Sequence, residues 1–290
     1  MDLKSHTRQA VLPQWAIGTL GGLAGAWWLF MQIVNRRRLT AGTLLGFATA
    51  LFALGTLLAE TFMRIVMLNR RSISNQRQMQ GILGLYHELK PEHALPLLGD
   101  AALQPLTALH YVKLIRQTKP DVVVELGSGV STLLASLQLQ KNGSGKVYAY
   151  DHEQKWARRT TNDMALHGME TWAEIRHAPL TSFQQDGRTL HWYDPAKFED
   201  LEKIDVLLVD GPPDYDDNLQ RRAGLTVLAD KFHDDTVILI DDAERSTWNQ
   251  FVRQWAAQHG FIAEELFQDY EHGLFLFKRG SRFHQLLEGE

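Results

Sequence analysis

The sequence predicts a doubly wound, Rossmann-like α/β sheet, mostly parallel with an antiparallel terminal strand, preceded by two transmembrane helices. Three observations predict it. Short β-branched or wholly apolar runs, Val122-Val-Val124, Ile204-Asp-Val-Leu-Leu-Val209 and Thr236-Val-Ile-Leu-Ile240, alternate with stretches of helical length. Such runs suit strands buried on both faces of a parallel sheet. The first run ends in Glu125 and passes into Gly127-Ser-Gly129, a turn that opens a helix. The chain also begins with two long stretches almost free of charge, each near the length that crosses a bilayer core.

Composition narrows the classes. Of 290 residues 44% are hydrophobic and 22% charged, so a folded core is expected. A net charge of −4 gives no support to an electrostatic nucleic-acid binder. With no cysteine, disulfides, thiolate metal sites and a cysteine nucleophile are excluded, which fits a reducing compartment.

The first apolar stretch, residues 14–34, carries Trp15, Ile17, Leu20, Leu23, Trp27, Trp28 and Ile33, and Arg36-Arg-Arg38 breaks it. The second, 41–63, ends in Glu60 and Arg64. Gly18, Gly21, Gly22 and Gly25 on one run, and Gly42, Gly46 and Gly55 on the other, offer small-residue faces for close helix contact. Residues 1–70 therefore read as a transmembrane hairpin. A cleaved signal peptide fits less well, because a second apolar run follows at once; a buried helical pair is the alternative. Lys4, Arg8, Arg70, Arg71 and Arg77 outnumber the three turn arginines, which favours both termini, and so the main domain, in the cytoplasm of a bacterial-type inner membrane. The triple arginine argues the other way. Residues 71–95 form a linker or stalk, the end of a helix over 62–89 that could serve as stalk, dimer contact or lid, closed by Pro91 and Pro96. The soluble domain is 96–290.

Within it, a helix is expected over 103–118, then the strand 122–125, a helix over 132–139, and a strand 146–150 ending at Asp151-His152. Asp151 stands about 20 residues past the glycine turn, where an acidic side chain holds a ribose in Rossmann-like folds. A helix over 153–167 and a strand from Ala173 to His177 follow; His177 would lie near an adenine or simply be hydrogen-bonded at a strand end. Residues 183–200 read as an irregular aromatic insertion or hairpin at the sheet edge. The strand 204–209 ends in Asp210-Gly-Pro-Pro213, a helix spans 218–231, and the strand 236–240 ends in Asp241-Asp242. A helix over 248–260 precedes two closing strands, 261–267 and 273–278.

The glycine turn presents backbone N–H groups and a helix N-terminus to a ligand. A dinucleotide fingerprint needs a third glycine or alanine where Thr132 stands, and the Gly-Lys-Ser/Thr of a phosphate loop is absent. Val-Glu-Leu-Gly-Ser-Gly-Val-Ser-Thr, Tyr-Asp-His, His-Ala-Pro-Leu, Val-Asp-Gly-Pro-Pro and Asp-Asp-Ala-Glu-Arg instead resemble, in order and spacing, the class I S-adenosylmethionine (SAM) methyltransferases, and within them the small-molecule O-methyltransferases. The resemblance covers about residues 95–280. It implies a seven-stranded sheet and SAM as cofactor, held by Glu125, Gly127, Ser128, Gly129, Thr132, Asp151, His152 and His177. It implies a catalytic role for Asp210, and metal-dependent relatives of this fold place acidic residues at the strand ends where Asp210, Asp241 and Asp242 stand here.

Three carboxylates converging there would suit Mg²⁺, which lowers the pKa of a bound hydroxyl. The metal-free alternative keeps Asp210 as general base or SAM neighbour, with Asp241 and Asp242 capping the next helix. The expected activity is O-methylation of a small-molecule, glycosidic or lipid-linked acceptor by a membrane-anchored enzyme, with homo-oligomerisation left open. A membrane-tethered scaffold without turnover is the alternative, and a nicotinamide enzyme is disfavoured by Thr132.

Overall fold

Buried β-branched residues seek the interior of a sheet, and β1 (Val122–Leu126) lies inside this one, next to its central strand. The computed structural model describes residues 28, 41–99, 102–185, 187–213, 219–243, 246–265 and 274–288. Seven strands run in the order β3-β2-β1-β6-β7-β9-β8. β1 pairs in parallel with β2 (Lys146–Asp151) and β6 (Ile204–Val209). β3 (Ala173–His177) lies beyond β2, and β7 (Phe232–Ile240) beyond β6, both parallel. The chain closes with β8 (Phe261–Glu265) at the edge and β9 (Leu274–Lys278), which inserts antiparallel between β7 and β8. This is the mostly parallel, doubly wound sheet expected from the sequence.

Helices cover both faces because every residue of β6 is buried, leaving neither face for water. One apolar layer is built on Val123, Val147, Val206 and Val237 under α2 (Pro105–Thr118) and α3 (Val130–Asn142). The other is built on Val124, Leu207 and Ile238 under α5 (Leu219–Val227) and α6 (Ser246–Gln258). The remaining helices are α4 (Gln154–Leu166), after β2, and α7 (Arg282–Glu288), after β9.

Residues 183–200 are more regular than expected. β4 (Leu180–Gln185) and β5 (Arg188–Tyr193) pair antiparallel as a separate two-stranded sheet, followed by a 3₁₀ turn over Pro195–Phe198. Their aromatics are core: Phe198 stacks on Tyr150 with centroids 3.9 Å apart and on Trp192 at 5.2 Å. Arg176 clamps this segment to the sheet, donating to both Asp200 oxygens at 2.7 and 2.6 Å and to the Tyr150 hydroxyl at 2.8 Å.

The chain divides into two units at Arg70/Arg71. The first membrane helix expected from the sequence, 14–34, lies outside the described residues except for Trp28. The second apolar run and the stalk are one helix, α1 (Ala41–Leu89). Its stretch from Leu45 is long and apolar enough to cross a membrane, and Leu45, Phe47, Phe52, Leu57 and Leu58 are exposed. In the second unit, residues 71–89 of α1 pack on α2. Leu85 and Leu89 are buried there, and Gly81 lies so close that an added Cβ would sit 2.6 Å from the Leu106 backbone nitrogen.

Candidate active site

β1 is the point where the strand order reverses. The connections after β1 and β6 leave to opposite sides, so their C-terminal ends part and open a crevice. Gly127 turns the chain there at φ +102°, a left-handed conformation that favours glycine. Its N–H donates to the Tyr150 carbonyl at 2.8 Å and ties the turn to β2. Ser128 then faces the end of β2, where Asp151 Oδ2 accepts its hydroxyl at 2.7 Å and its backbone N–H at 3.2 Å. The other oxygen, Oδ1, accepts the Glu153 N–H at 3.0 Å and so sets the start of α4. A carboxylate offers about four acceptor positions, so capacity remains for a hydroxyl-bearing ligand.

A cleft of about 370 Å³ lies over this turn. Of the residues singled out in the sequence, Gly127, Ser128, Gly129, Asp151, His152 and Asp210 line it. Its mouth adds Pro96, Leu97, Trp156 and Arg159, with Leu97 93% exposed. Glu125 does not line it. Glu125 is wholly buried beneath the turn, accepting from the Tyr111 hydroxyl at 2.8 Å, the Thr132 hydroxyl at 2.5 Å and the Ser131 hydroxyl at 3.2 Å. Burial pushes its carboxyl up from 4.5 to about 7, and the three hydroxyl donors oppose that rise. Thr132 also accepts the Gly129 N–H at 3.2 Å, so Glu125 and Thr132 shape the turn from behind. His177 pairs in register with Asp151 and lies 3.2 Å from the His152 carbonyl, outside the cleft lining.

Asp210 ends β6 and precedes a cis Gly211–Pro212 bond. Burial and the neighbouring Asp241 hold its carboxyl well above the ordinary range, and Asp241, hydrogen-bonded to Asp210, is raised to about 6 by burial and by Asp242. Two such groups side by side share a proton more readily than they both ionise.

Four functional candidates had no motif to announce them. Tyr111 comes from α2 to bond Glu125. Tyr193, from β5, is wholly buried at the cleft floor; its hydroxyl has no well-formed partner, and the nearby Gly127 N–H already donates to Tyr150. Burial and the charges of Asp151 and Asp210 keep that phenol protonated. Trp156 stands at the cleft mouth with Lys155 and Arg159 over its ring. Arg221, from α5, is only 6% exposed and sits among the β6 and β7 ends. Its Nη2 is 3.4 Å from Asp242 and 4.0 Å from Asp210. An arginine just inside the helix after Asp-Gly-Pro-Pro was the available signal.

Arg221 decides the fit of a divalent ion. Among the described residues no group of three or more His, Asp or Glu is arranged to hold a metal, and a guanidinium already stands beside two of the three carboxylates expected as ligands, Asp210 and Asp242. Asp210, Asp241 and Asp242 stand at the ends of β6 and β7, but the donor set does not fit the Mg²⁺ expected from the sequence. The physical reason is like-charge repulsion from a cation that cannot be deprotonated.

Residues 124–243 match the family profile described as "Methyltransferase domain". The matched stretch lies within the α/β unit. The matched stretch runs from β1 to just past β7 and holds the glycine turn, Asp151, Tyr193, Asp210 and Arg221. Among solved structures, the methyltransferase PaMTH1 of Podospora anserina, bound to SAH, is 13% identical with a TM-score of 0.49, covering 72% of this chain and 94% of that one. A putative caffeoyl-CoA O-methyltransferase from Staphylococcus aureus is 12% identical with a TM-score of 0.46, covering 72% and 98%. An O-methyltransferase from Bacillus cereus in complex with SAH is 15% identical with a TM-score of 0.45, covering 69% and 89%. No curated protein matches the chain.

Proposed function

We propose that the methyltransferase domain binds SAM over the Gly127–Gly129 turn and methylates a hydroxyl of a small-molecule acceptor, with α1 anchoring the chain in a membrane. The observation that carries this is the cleft itself: a glycine turn, the Asp151–Ser128 pair and the acidic end of β6 meet within the stretch that matches the methyltransferase profile. SAM supplies an electrophilic methyl group on a sulfonium. The chain's own groups do the rest. Asp151 accepts hydroxyls of the ribose, and Gly127, Ser128 and Gly129 give the donor close approach to backbone. Glu125, Thr132 and Tyr111 hold the turn in shape. His152 and His177 flank the β2 and β3 ends on the side where an adenine would lie.

The acceptor's proton has a destination in the Asp210–Asp241 pair. Holding one proton between them, the two carboxyls keep one negative charge at the β6 end, facing the cleft through Asp210, and can take a second proton as the hydroxyl is methylated. The apolar lip of Pro96, Leu97 and Trp156 favours an acceptor with an apolar part. Together with the apolar helix, it supports a lipid-linked acceptor over a free sugar, and an active site on the cytoplasmic side, where SAM is made.

Isothermal titration of the full-length chain in detergent with SAM and SAH tests the donor site, and saturable binding is expected. Transfer of labelled methyl from SAM into a lipid extract, against an aqueous metabolite extract, tests the acceptor. Binding absent at millimolar SAM removes the reading; binding with no transfer to either extract supports a tethered scaffold instead.

A further inference from the structure

Arg221 is spread over more of the site than any of the carboxyls around it. Its Nη2 donates to the Asp210 carbonyl at 2.9 Å, its Nη1 to the Asp241 carbonyl at 3.3 Å, and its Nε to the Pro212 carbonyl at 3.4 Å. One planar fork therefore joins the end of β6, the end of β7 and the turn between β6 and α5. The same group faces the Asp210 and Asp242 carboxylates at 4.0 and 3.4 Å. Burial of a guanidinium at 6% exposure is tolerated only with such a set of acceptors and opposite charges.

These contacts divide the labour. The backbone acceptors fix where the strands end, and the carboxylates balance the charge. A divalent ion placed among Asp210, Asp241 and Asp242 would do both, but it would meet a fixed positive charge already inside the cluster.

We propose that Arg221 is the resident cation of this centre: a positioning residue that holds the β6 and β7 carboxyl groups and the Gly211–Pro212 turn, so that the site works without a divalent metal. The activity arm of the test rests on the proposed methyl transfer; the metal-binding arm does not. Removing the guanidinium leaves the acidic side chains without their cation and opens the place it held to a divalent ion.

The test uses the full-length chain in detergent, with Mn²⁺ as the probe, followed by electron paramagnetic resonance. Wild type is expected to show no stoichiometric Mn²⁺ site tighter than about 1 mM. Arg221→Met, which keeps apolar length and loses the charge, is expected to gain one at least about tenfold tighter. Turnover of wild type is expected to be unchanged by EDTA. In Arg221→Met the pH profile of turnover moves to higher pH by about one unit, because the carboxyl pair loses the cation that favours its ionised form. Free guanidinium added to Arg221→Ala restores the wild-type profile.

A stoichiometric Mn²⁺ site in wild type, or turnover abolished by EDTA and restored by Mg²⁺, overturns the proposal. So does an Arg221→Met chain with an unchanged pH profile and no new Mn²⁺ site. If Arg221→Met does not fold, the wild-type Mn²⁺ and EDTA measurements still decide. Wild type that binds no SAM sinks the proposed function, while the Mn²⁺ measurements still decide the role of Arg221.

Discussion

Replacing Glu125 by glutamine tests the electrostatics under the glycine turn. Glu125 is fully buried, and its carboxyl is raised from 4.5 to about 7. The native state therefore binds more protons than the unfolded state between these values. Stability must fall as pH rises through that window, by about 1.4 kcal/mol per pH unit at most and about 3 kcal/mol in all by pH 7. The slope is half its maximum at pH 7 and vanishes about one unit above it. Asp210 and Asp241 are raised too and add a slope of the same sign, so the difference between wild type and variant is the quantity to read. Glu125→Gln keeps the shape and one carbonyl acceptor, and the Tyr111, Ser131 and Thr132 hydroxyls can rotate to meet its amide. Urea unfolding of the full-length chain in mild detergent, followed by tryptophan fluorescence from pH 5 to 8, gives both curves. The variant should gain on wild type by about 2–3 kcal/mol between pH 5 and pH 7. Parallel curves would refute a proton-retaining Glu125, whatever the variant's absolute stability.

Other perturbations act elsewhere in the fold. Asp151→Asn removes the charge that orders Ser128 and faces the cleft, so SAH affinity by calorimetry should fall about 10- to 100-fold with little change in melting temperature. Gly81→Ala puts a Cβ 2.6 Å from the Leu106 backbone nitrogen, which cannot yield, whereas Gly84→Ala meets the tip of the Leu109 side chain at 2.5 Å, which can. Denaturation should show Gly81→Ala costing about 2–3 kcal/mol and Gly84→Ala clearly less. Arg176→Leu leaves Asp200 and the Tyr150 hydroxyl without their shared donor, and should cost about 2 kcal/mol with a shift in the emission of buried Trp192. An unchanged spectrum would show that the β4–β5 hairpin does not depend on that clamp.

The elements of the sheet were legible because their signals are local. Val122-Val-Val124, Ile204–Val209 and Thr236–Ile240 announce buried strands by composition alone, and Gly127 announces a turn by the φ that it permits. The spacing of Asp151 from that turn marked it as a ribose-holding carboxylate, while its bond to Ser128 came only with the structure. The hairpin at 180–193 was harder to read, since its alternation is interrupted by Gln184, Gln185 and the turn at Gly187, and its pairing is antiparallel in a sheet of its own. The extent of α1 was also missed as one element: an apolar half and an arginine- and glutamine-rich half carry different periodicities, yet the backbone runs through both.

The sequence by itself determined the fold class, the glycine turn and the acidic strand ends, because propensity, burial period and turn chemistry act over a few neighbouring residues. Tertiary structure alone decided what those acidic groups face. Glu125 meets three hydroxyls from two helices, and the Asp210 and Asp242 carboxylates face a guanidinium from α5. Charge and hydrogen bonding act across space between residues far apart in the chain, so no local pattern could show that a guanidinium stands beside these carboxylates.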